Sequence, residues 1–170
     1  NIAVFIIVAV INIVVTIGSF RPVGFSDVLQ LSSDFSLFTK HFWTIISYMF
    51  VHISLLHLFF NMICLYWFGQ LFLMSFTGKQ LIGIYILGGI LGGVVYMLSY
   101  NYIPFFEGKI SLLSGASASI MAIIVATALD MPNMPIRLLL VGSVKLKWLA
   151  VVTVLISVLG ITSNNAGGEI

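Results

Sequence analysis

Residues 50–61 read FVHISLLHLFFN. Leucine and phenylalanine dominate the stretch, yet His52, His57 and Asn61 sit among them. Moving an imidazole or an amide out of water without a partner costs roughly 2–7 kcal/mol. A chain that keeps three such groups in one apolar run has a use for them. Asn61 follows His57 by four residues, so on a helix the two share a face.

The surroundings set the solvent. Of the 170 residues 61% are hydrophobic and 7% charged, and mean hydropathy is +1.19. A soluble domain carries about 25% charged residues, so this chain cannot coat a globule with charge and its solvent is largely lipid. The net charge of +2 is scattered, with no Lys/Arg cluster, which argues against a nucleic-acid partner. The single cysteine, Cys64, makes no internal disulfide and has no metal-ligand spacing around it; it reads as a small buried hydrophobe.

Apolar runs of about 20 residues mark membrane spans. The sequence predicts spans over about 2–20, 55–76, 81–100, 112–129 and 148–161 in one domain covering 1–170. The opening at Asn1 runs straight into apolar residues with no charged n-region, so it reads as a helix entered in mid-chain, not a signal peptide. Residues 21–46 are expected to form short interfacial helices, partly sunk into the headgroup zone, with Trp43 as an anchor. The apolar run 138–141 is too brief to span. Loops on one side carry Lys79, Arg137, Lys145 and Lys147, against Arg21, Lys40 and Lys109 on the other. The positive-inside rule then makes the first side cytoplasmic and turns the long first loop outward.

With that threading, His52, His57 and Asn61 lie near the outer start of the second span, and Ser114, Ser117 and Ser119 near that of the fourth. Intramembrane polar groups face the bundle interior and mark function. A serine with two side-chain donors nearby is equipped for acyl transfer: a nucleophile, and hydrogen bonds aimed at an oxyanion. Ser114 and Ser119 are expected merely to bond back to their own helix carbonyls, and His41 to lie at the interface. In the third span, Gly88/Gly92 and Gly89/Gly93 form overlapping GxxxG patterns, read as a packing face.

His52, His57 and Asn61 in the pattern HxxxxHxxxN, followed by Gly115-Ala116-Ser117-Ala118, resemble the rhomboid intramembrane serine proteases. The resemblance covers nearly the whole chain. It implies an all-α, polytopic transmembrane bundle with a six-helix core, of which this chain holds five helices and the start of a sixth near 166–170. It implies Ser117 as nucleophile, His57 and Asn61 as oxyanion donors beside the Ser117 N–H, and His52 in support. Partners would be transmembrane protein substrates and the lipid bilayer, with no cofactor and no metal. The gate would involve Trp67, Phe68 and Trp148. The setting would be a bacterial inner membrane, with the site opening to the periplasmic face.

The family's general base is a histidine on the sixth helix. Here the histidines are His41, His52 and His57, all before Ser117. The stretch 165–170, NAGGEI, is similar to the approach to that histidine, so the base is expected beyond Ile170 and residues 1–170 by themselves are expected to be inactive. Thr44 stands where many members have arginine after the tryptophan, Ala118 where many have glycine, and the region of Gln70 lacks a glutamate common in the family. A rhomboid-like pseudoenzyme that binds transmembrane helices is the first alternative. A small-solute carrier would want a continuous polar path. A metal site on His52 and His57 suffers from their i, i+5 spacing.

Overall fold

The computed structural model describes residues 1–18, 25–106, 108–138 and 142–161. Arg21, Glu107 and the expected start of a sixth span near 166–170 lie outside them.

Helix α1 spans Ile2–Gly18 and is apolar throughout. Its one mid-helix amide finds a partner: the Asn12 carbonyl oxygen accepts the Phe25 N–H at 2.6 Å. The chain then passes through a 3-10 turn, Phe25–Val28, into strand β1, Leu31–Ser32. Helix α2, Phe35–Lys40, starts where the Asp34 carboxylate accepts the Ser36 N–H at 2.7 Å. Helix α3, Thr44–Ser47, runs into a second 3-10 turn, Tyr48–Phe50.

This connection does more than skim a membrane surface. Leu31, Tyr48 and Met49 are among the most deeply buried side chains described, together with Ile123 of the central helix. Its outer part keeps Phe42 and Trp43 exposed, with the Trp43 indole N–H donated to the Val28 carbonyl at 3.0 Å. The inner half is core and the outer half is exposed surface.

Helix α4, Leu55–Phe72, begins with Ser54, whose hydroxyl accepts the His57 N–H at 3.1 Å. Helix α5, Gly78–Tyr102, opens on a capping box between Thr77 and Gln80. Both are long and apolar enough to cross a membrane; α1 and the two helices that follow are apolar but shorter. Strand β2, Leu112–Leu113, pairs antiparallel with β1, Leu31 opposite Leu113 and Ser32 opposite Leu112. That pairing takes residues 112–113 out of the fourth expected span, and helix α6 runs Ser117–Asp130. A hairpin of β3, Pro135–Leu138, and β4, Gly142–Lys145, leads to α7, Leu146–Ile161.

Helix α6 is the centre of the bundle, packed against α4, α5 and α7. The glycines of α5 allow the closest approach, and their two registers meet different neighbours. A Cβ on Gly92 would lie 2.5 Å from the Ala118 Cβ, and one on Gly88 would collide with Ala122. A Cβ on Gly89 would meet Met49 and the Ser119 hydroxyl, and one on Gly93 would meet Leu31, Ile45 and Tyr48. One register seats α6; the other seats the connection between α1 and α4 as well.

Candidate active site

The fold brings the two halves of the motif to the head of α6. Ser117 is the first residue of that helix. The first N–H groups of any helix lack intrahelical acceptors, and here no side chain caps them. They form a donor-rich terminus beside the Ser117 hydroxyl, favourable to negative charge.

The turn before Ser117 is held from two sides. Gly115 adopts φ +107, a conformation that L side chains rarely enter, and donates its N–H to the Tyr48 carbonyl at 3.0 Å. On the other side lies His57: a Cβ on Gly115 would sit 2.6 Å from both Cε1 and Nε2 of the imidazole. Glycine is required by backbone conformation and by space together.

His57 and Asn61 are both buried on α4. The Asn61 amide donates one hydrogen to the His57 carbonyl at 2.9 Å. An amide NH2 has two hydrogens, so a second remains to be aimed elsewhere. Asn61 and Ser117 border one cavity of about 460 Å³, walled by Phe60, Cys64, Ile120, Met121, Ile124 and, from α7, Thr153 and Ile156. Cys64 is thus half-buried and lines the site rather than vanishing into the core. His52, in the connection before α4, packs edge-on against His57 with ring centroids 5.0 Å apart. Burial, and then the neighbouring His57, push the His52 imidazole down to about 4, so it is neutral at physiological pH.

The other serines are placed differently from expectation. Ser114 is buried in the bend ahead of α6, and its hydroxyl has no hydrogen-bond partner among the described residues. The Ser119 hydroxyl turns to the Met49 sulfur at 3.8 Å instead of to its own helix carbonyl. Backbone geometry explains the first, since Ser114 has no preceding helical turn; close packing against Gly89 explains the second. Of the expected gate residues, Phe68 is buried in the core, while Trp67 and Trp148 are exposed.

Ser117 is exposed and borders a second cavity, of about 390 Å³, on the α5 side, which also reaches Gly92, Tyr96, Ala118 and Met121. A third, of about 320 Å³, lies between α6 and α7 along Val125, Ala128 and Leu129. Ser117, Met121, Val125 and Leu129 recur every four residues, so the cavities share one face of α6. Among the described residues that face is exposed at Ser117 and Leu129 and lies against α7 along Val125 and Ala128.

Sequence reasoning did not single out Tyr48. Nothing in the composition of its segment distinguishes an aromatic residue bonded to the Gly115 turn from one that merely fills space.

A family model described as the Rhomboid domain matches residues 39–168. The chain belongs to the rhomboid family, and with its apolar helices it is a membrane protein. No curated protein and no solved structure matches it.

Proposed function

We propose that the protein is an intramembrane serine protease, hydrolysing peptide bonds in or near the transmembrane segments of other membrane proteins. The observation that carries this reading is the joint placement of Ser117 and Asn61 on one cavity, at an uncapped helix terminus, with the His57 ring packed on Gly115.

In this reading the Ser117 hydroxyl oxygen attacks the scissile carbonyl carbon. Its proton passes to a histidine base, and the carbonyl oxygen takes up the negative charge. The Ser117 N–H, the Asn61 amide and the His57 ring donate to that oxyanion. Collapse breaks the C–N bond, the amine leaves with the proton from the base, and water then hydrolyses the acyl-enzyme. His52 supports His57 through its edge contact.

The base is a histidine of a further helix, placed next to Ser117. His41, His52 and His57 have other parts in this reading: His41 packs on Trp43 in the connection, His57 is a donor to the oxyanion, and His52 packs against His57. The protein is a single multi-pass domain. Its site opens to the outer, periplasmic face of a bacterial inner membrane, and substrates enter past Trp67, Phe68 and Trp148. No cofactor is called for.

The test is cleavage of a membrane-spanning substrate by the full-length protein in liposomes. Ser117→Ala is expected to abolish cleavage with folding intact. Equal activity of that variant would overturn the assignment, and a fully inactive wild type would favour a helix-binding pseudoenzyme.

A further inference from the structure

The nucleophile turn hangs from one tyrosine. Tyr48 is almost fully buried and makes two polar contacts to distant parts of the chain, in opposite directions. Its hydroxyl donates to the Gly89 carbonyl of α5 at 2.6 Å. Its own carbonyl accepts the N–H of Gly115, two residues before Ser117, at 3.0 Å. A neighbouring tether runs the other way, from the Tyr85 hydroxyl of α5 to the Met49 carbonyl at 2.9 Å. Two consecutive residues of the connection are therefore bonded to α5 by hydroxyl groups, and one of them holds the glycine at φ +107.

We propose that Tyr48 is a positioning residue for Ser117, a strut from α5 to Gly115 that sets the depth and direction of the nucleophile. The proposal rests on the protease reading. Three observations distinguish a strut from filler. The ring packs on the bare backbone of Gly93, where an added Cβ would come within 3.2 Å of it, so the ring has no room to slide along α5. The Gly115 N–H is committed to Tyr48, which leaves the oxyanion to the Ser117 N–H, Asn61 and His57. The His57 ring closes the other side of Gly115, so a shift of the Tyr48 carbonyl moves the whole turn. A small misplacement of an attacking atom costs much more rate than binding.

The experiment compares full-length wild type, Tyr48→Phe and Ile123→Val for cleavage of a membrane-spanning substrate in liposomes. It also measures the rate at which a fluorophosphonate labels Ser117. Phenylalanine keeps the packing and removes the hydroxyl anchor. Ile123, fully buried on α6, serves as a packing control, since its side chain has no hydrogen-bonding group. Tyr48→Phe is expected to lower kcat and the labelling rate about tenfold with KM unchanged, beyond any loss shown by Ile123→Val at equal thermal stability. If Tyr48→Phe loses stability but keeps kcat and labelling, the residue is packing alone and the proposal is overturned. If Tyr48→Phe yields no folded protein, Tyr85→Phe, which cuts the adjoining tether, is measured the same way; an unchanged kcat there overturns the proposal equally. Absence of both cleavage and Ser117 labelling in the wild type would instead remove the protease reading itself.

Discussion

The place where Gly115 would carry a side chain lies 2.6 Å from two atoms of the His57 ring. The residue two positions before Ser117 and the histidine on α4 are thus packed as one unit, and neither can change without moving the other. Gly115→Ala adds a methyl at that point and also forces alanine to φ +107. The strain and the clash together are expected to cost about 1–3 kcal/mol or more. The full-length variant should melt at lower temperature and show no cleavage even where it remains folded. Wild-type activity would mean that the His57 ring is free to swing away.

Asn61→Ala and His57→Ala, in the full-length protein, should each lower kcat on the order of 10–1000-fold, as expected for a lost oxyanion donor. Their effects should not multiply, because on the proposed reading both side chains donate to the same oxyanion and act as a unit. Kinetics of the two single variants and the double variant read this directly.

Two glycines of α5 make a matched pair. Gly92→Ala drives a Cβ to 2.5 Å from that of Ala118, whereas Gly83→Ala meets nothing within 4 Å. The first should destabilise the bundle by about 1–3 kcal/mol through overpacking. The second should stabilise it by roughly 0.5–1 kcal/mol through helix propensity. Thermal melting in one detergent should show shifts of opposite sign.

The His52 imidazole, held down to about 4 against an ordinary 6.5, gives a pH dependence. Between those values the unfolded chain binds a proton that the folded chain refuses, so stability falls as pH drops from about 6.5 toward 4. Above that window both states are neutral at this position and the contribution is fully present. Melting temperature against pH should slope downward on the acid side, and His52→Gln should flatten the slope.

The chain of residues 1–170 tested alone should show no Ser117-dependent cleavage. Without a base the serine remains a protonated alcohol, which attacks poorly. Cleavage that disappears in Ser117→Ala of the same 170 residues would mean that His57 or His52 serves as base.

Much of this site was legible in the sequence because its signals are chemical contrasts. His57, Asn61 and Ser117 stand out as polar groups in an apolar run, and helix periodicity places the first two on one face. The glycine pairs of α5 also announced a packing face. What stayed hidden depends on non-local backbone bonds. The β1–β2 pairing that starts α6 at Ser117 joins residues about 80 apart through two short, ordinary-looking stretches. The burial of Leu31, Tyr48 and Met49 could not be read from a segment whose polar content suggested an interface. Tyr48 bonds through its carbonyl, an atom every residue has.

The exposure of Ser117 at the head of α6 also bears on timing. Chains emerge N-terminus first, and early segments can fold before later ones exist. On the proposed reading, a nascent chain complete through α7 already holds Asn61, Gly115 and Ser117 in position, yet has no group to take the serine's proton. Synthesis itself would then keep the hydrolase idle while it sits among newly inserted helices, and arrival of the last segment on α6 would be the step that switches it on.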